Sequence, residues 1–100
     1  MLVRFATKRL EKCYREVAVA RREWGERVAR MYVQRINTLH AARDARDLFS
    51  LRALDCHPLK GERKGQYAIR LGDRERLIVA FADTELTVVR IEEVSRHNGD

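Results

Sequence analysis

The chain has 100 residues, 45% of them hydrophobic and 36% charged, with a formal net charge of +6 and a pI near 9.9. That length allows one domain (residues 1–100) with one modest core, and the composition excludes a disordered chain. No apolar run reaches the roughly 18 residues of a membrane span, and the start, MLVRFATKR, lacks the apolar stretch of a secretory signal, so the expected location is cytoplasmic.

The excess of basic residues points to nucleic acid or an acidic protein as partner, against the plainer reading of a solvated basic surface. Cys13 and Cys56 stand alone, without CxxC spacing or nearby His, which predicts reduced thiols and no metal site.

Leu2 to Ala6 reads as a short strand. Thr7 is then a natural N-cap for a helix whose stripe holds Leu10, Tyr14, Val17 and Trp24, with Gly25 as its break. A second helix follows from about Glu26 to about Arg43, with Val28, Tyr32, Ile36 and Leu39 on one stripe, giving an antiparallel helical hairpin. His40 lies within this pattern and reads as structural. Asp44 or Asp47 caps a single helical turn that buries Leu48 and Phe49.

From His57 to Arg76 the chain reads HPLKGERKGQYAIRLGDRER, with six cations against three carboxylates. It starts as a loop fixed by Pro58 and ends in strands. Gln66–Leu71, Arg76–Phe81 and Glu85–Val94 alternate with period two, separated by turns at Gly72-Asp73 and Asp83-Thr84. The short turns predict an antiparallel sheet, and helices followed by strands predict an α+β domain. Tyr67, Ile69, Leu71, Leu77, Val79, Phe81, Val89 and Ile91 form the face that the hairpin covers. Arg70, Arg76 and Arg90 then share the uncovered face, with Glu92 available to pair there. His97, just beyond the last strand, and His57, at the head of the basic loop, are the candidates for proton transfer near neutral pH.

At these residues the sequence resembles the RelE/ParE toxin superfamily of bacterial type II toxin–antitoxin systems, and within it the HigB-like, plasmid-maintenance-killer branch. LKG-x-RKGQ-[YW]-x-I-x-L and RLI within His57–Val79 carry the resemblance, and VVRIEEVSRH at Val88–His97 and KRLEKCYREVAVARREWG near the start extend it over nearly the whole chain. The resemblance implies a RelE-like fold, with a helical hairpin on a twisted antiparallel sheet. It implies cleavage of mRNA on the ribosome without metal or other cofactor, and restraint by a cognate antitoxin, HigA-like, that carries a helix-turn-helix domain. By the same resemblance Arg70 and Arg76 fall at active-site and phosphate-binding positions, and His97 and His57 match His positions of HigB-like chains. Lys60, Arg63, Lys64, Arg90 and Arg96 are the expected RNA contacts. The chain has Ser95-Arg96-His97 where HigB-like chains commonly end in Asp-Tyr-His, and Ala68 where RelE-like chains have a Lys. A ParE-like gyrase inhibitor and a catalytically weak binding module of the same fold are the alternatives.

Overall fold

The computed structural model describes residues 1–96. His97 therefore lies outside the described residues.

Thr7 caps the first helix, α1 (Lys8–Arg15), by accepting a hydrogen bond from the Leu10 amide at 3.1 Å. Helical pattern continues in the sequence, but the chain breaks at Glu16, which is extended (φ −127°, ψ 93°), before α2 (Val17–Trp24) begins. The break re-phases the stripe: Val19 and Ala20 are buried, while Val17, expected on the apolar stripe, is 37% exposed. Nothing local in the sequence, neither Gly nor Pro, signals it.

Gly25 ends α2 and opens α3 (Glu26–Ala41) with φ 85°, a backbone state that a side chain would strain. Val28, Ala29, Tyr32, Ile36 and Leu39 form the buried stripe of α3. Tyr32 lies under the hairpin, its ring 4.7 Å from Trp24 and its hydroxyl donating to the Leu10 carbonyl at 2.7 Å. Among the described residues no helix is long and apolar enough to cross a membrane.

Asp44 caps the short α4 (Ala45–Ser50), and Leu48 is buried as expected. Phe49 is not: it is 45% exposed, and it meets Tyr67 and Phe81 at ring distances of 5.6 and 6.4 Å. A helix this short presents only one residue per turn inward, and Leu48 takes that place.

The sheet has five strands, β1 (Leu2–Phe5), β2 (His57–Pro58), β3 (Gln66–Arg70), β4 (Glu75–Phe81) and β5 (Val88–Arg96), in the order β1-β5-β4-β3-β2. Pairing is antiparallel as expected for β2 to β5, with β1 added in parallel along β5. Ile69, Leu71, Leu77, Val79, Val89 and Ile91 join the helical stripes in one buried cluster, with Tyr67 and Phe81 partly buried at its margin. In the β4–β5 connection, the Asp83 carboxylate accepts from the amides of Thr87 and Val88, both at 2.9 Å, and from the Thr87 hydroxyl.

One irregularity matters for the surface. Val79 pairs with Ile91 but Ile78 pairs with Glu93, so Glu92 is an extra residue, a β-bulge. Beyond it the alternation of β5 is inverted. Val94 packs against the core, and Glu93 and Ser95 take the opposite face.

Candidate nucleic-acid interface

Cα partners on neighbouring strands carry their side chains on the same face. The helix-free face can therefore be written as transverse rows. Arg70 and Arg76 are direct partners, with Ser95 beyond them on β5. The next row holds His57, Ala68, Ile78 and Glu93. The row after that holds Gln66, Ala80, Arg90 and Arg4. Period-two reasoning thus located Arg70, Arg76 and Arg90 correctly, and the short β2 adds His57 to the same face.

Arg76 is partly buried and anchored, with one terminal nitrogen donating to the carbonyls of Gly72 and Glu75, both at 2.9 Å. The rest of its fork makes no hydrogen bond among the described residues. Arg70 is exposed and lies 4.0 Å from Asp73, the outer limit of an ion pair. Behind it, Arg35 of α3 donates to the carbonyls of Arg70 (2.8 Å) and Ala53 (3.0 Å). Burial, and then the charge of Arg70, hold the Arg35 guanidinium below its ordinary pKa, yet it stays cationic at neutral pH. Arg35 and Arg70 therefore feel each other's charge at the end of the sheet where Arg70 faces Arg76. Arg35 was missed because its role depends on packing between α3 and β3.

His57 Nδ1 lies 2.8 Å from the Asp55 carbonyl. A carbonyl only accepts, so Nδ1 carries the proton and Nε2 of the neutral ring keeps its lone pair. Asp55 holds this arrangement from a left-handed conformation (φ 45°), uncommon outside glycine. His57 is diagonal to Arg70, about 7–8 Å away between Cα atoms. Neighbouring Cys56 does not compete as a base, because burial, helped by Asp55, pushes its thiol up to about 12.

The basic loop closes over this face. Arg63 reaches from the loop to Glu93 on β5 at 2.8 Å, and Arg90 pairs with Glu92 at 2.6 Å. Beneath these pairs Ala68 and Ile78, though outside the helix-covered core, are buried. Lys60 and Lys64 are exposed at either end of the loop's single 3-10 turn, Gly61–Arg63. Arg96 departs from the group. The bulge turns it toward the hairpin side, where it pairs with Glu75 at 3.4 Å and lines a cleft with Arg27 and Arg74. Sequence reasoning also missed Glu93, since a bulge carries no clear sequence signal, and Arg4, whose place depends on a non-local parallel pairing. Among the described residues no three His, Cys, Asp or Glu side chains gather as a metal site.

A hairpin of helices on one side of a five-stranded mixed sheet, with cations on the other, is the RelE-like fold. No family model and no curated protein matches the sequence. Among solved structures the chain is similar to a YoeB/ParE toxin from Agrobacterium tumefaciens, with a TM-score of 0.63 and 19% identity over 98% of this chain and 100% of that one. It is also similar to YafQ from E. coli (TM-score 0.61, 17% identity, 95% and 91% covered). A chain of the YoeB–YefM complex from Staphylococcus aureus is alike too (TM-score 0.61, 18% identity, 98% and 99% covered).

Proposed function

We propose that this chain is the toxin of a type II toxin–antitoxin pair, a HigB-like endonuclease that cuts mRNA on the ribosome and is restrained by a helix-turn-helix antitoxin. The observation that carries this reading is the direct opposition of Arg70 and Arg76 on the helix-free face, with His57 diagonal to Arg70. The fold it shares with the YoeB and YafQ toxins supports it.

RNA brings its own nucleophile. A base takes the 2′-hydroxyl proton, and the 2′-oxygen attacks the adjacent phosphorus. The bond to the 5′-oxygen breaks, and that oxygen takes a proton from an acid. The products are a 2′,3′-cyclic phosphate and a 5′-hydroxyl. Arg70 and Arg76 hold the phosphate oxygens, where their forks match the developing charge without a metal. One such pre-placed donor supplies about 3–4 kcal/mol of barrier reduction. His57, whose Nδ1 is engaged by the Asp55 carbonyl, leaves Nε2 free for one proton transfer, and His97 is assigned the other. Lys60 and Lys64 extend the phosphate contacts, and salt weakens them.

The test is induction of the chain without antitoxin. Arg76→Ala and His97→Ala variants that keep their melting temperature should each relieve growth arrest, and wild type should leave codon-phased cuts in transcripts. Undiminished toxicity of both variants would refute the site assignment. DNA breaks without such cuts would instead indicate a gyrase inhibitor.

A further inference from the structure

The Arg70–Arg76 opposition has a counterpart at the far end of the same face. Parallel pairing sets Arg4 of β1 directly beside Arg90 of β5. Val3 and Phe5 pack against the core, so Arg4 projects to the helix-free side, where it is exposed. Like charges directly opposed on adjacent strands are destabilising, and here the cost is only partly offset. Glu92 neutralises Arg90 at 2.6 Å, whereas Arg4 has no ion-pair partner among the described residues. An unpaired cation beside another cation is a place where an anionic ligand gains from both.

We propose that Arg4 and Arg90 form a second phosphate seat, which holds the single RNA strand whose scissile phosphate lies at Arg70 and Arg76. This rests on the RNA reading above and adds to it a second contact and a minimum substrate length. Arg90 is paired with Ala80, four residues along β4 from Arg76. At roughly 3.3 Å per residue that is about 13 Å along the strands, and the seats are also two strand spacings, roughly 10 Å, apart across the sheet, so they are about 16 Å apart. A stacked strand rises about 3.4 Å per nucleotide, so the seats are about five nucleotides apart when the strand is stacked and about two to three when it is stretched to twice that rise. Between them Ala68 and Ile78 are buried beneath the Arg63–Glu93 pair, so the strand crosses over that pair and past the partly exposed Ala80.

The experiment is fluorescence anisotropy with labelled, uncleavable 2′-O-methyl oligouridylates of two to eight nucleotides. It uses the full chain as wild type, Arg4→Gln, Arg76→Gln and, as a control on the helical side, Arg22→Gln. Wild-type affinity should climb with length until both seats are bridged and then level. Arg4→Gln should abolish that climb, weaken the longer oligomers about tenfold, and leave the dinucleotide unchanged. Its salt slope should fall by about 0.7, the value for one phosphate contact on a single strand. If Arg4→Gln matches wild type at every length while Arg76→Gln weakens binding, the second seat is refuted and the RNA reading stands. If Arg76→Gln has no effect either, or wild type binds no oligomer, both are refuted.

Discussion

Replacing Glu93 by Gln should strengthen RNA binding, although it breaks an ion pair. The bulge puts this carboxylate on the helix-free face, in the row next to Arg70 and Arg76 and diagonal to Arg76. Diagonal neighbours are about 7–8 Å apart, so a phosphate held by Arg76 lies roughly 8 Å from the Glu93 charge. At 8 Å the repulsion is about 0.5 kcal/mol with the dielectric of water and about 2 kcal/mol with an effective value of 20. A Debye length of about 30 Å at 10 mM salt leaves most of this, and about 10 Å at 100 mM leaves roughly half. The expected gain is therefore about 2- to 15-fold at 10 mM salt and about 1.5- to 5-fold at 100 mM. The cost to folding is small, since Arg63 and Glu93 are 43% and 45% exposed and such a pair contributes less than about 1 kcal/mol. Anisotropy with an uncleavable oligonucleotide at the two salt concentrations, beside a thermal melt, measures both quantities. Affinity that falls or stays level at low salt would refute the placement of Glu93 beside the bound phosphate.

Two further predictions concern stability. Tyr32→Phe keeps the ring against Trp24 but loses the hydroxyl that donates to the Leu10 carbonyl, and should cost about 1 kcal/mol in a urea titration with oligonucleotide affinity unchanged. Bonds from the Thr87 hydroxyl and from the Val88 and Thr87 amides hold the Asp83 carboxyl below its ordinary pKa. The stability it contributes is present above the unfolded-state value of about 3.9 and is lost as pH falls through the lower folded value. Melting temperature should therefore drop steeply in acid for wild type and less for Asp83→Asn, which starts lower at pH 7; parallel curves for the two would refute this.

Local rules made part of this molecule legible and no more. Period two placed Arg70, Arg76 and Arg90 on one face because side-chain alternation needs no knowledge of the partner strand. Thr7 and Gly25 marked their helix ends, and Asp44 was one of two candidate caps with Asp47, because capping is chemistry between near neighbours. What escaped was non-local. Arg4 joins the face only through pairing across more than eighty residues. The inverted phase after Glu92 depends on register against β4, and it is what turns Arg96 away. The exposure of Phe49 reflects what α4 packs on, and the break at Glu16 has no residue to announce it.

The strand order has a consequence for how the molecule is made. Among the described strands β5, the latest in the chain, is inserted between β1, the earliest, and β4. Until residues 88–96 emerge, β1 has no neighbour to bond with and the hairpin has only part of its platform. A nascent chain can pair Arg70 with Arg76 as soon as β3 and β4 are made, but it cannot set Arg4 beside Arg90 until β5 follows.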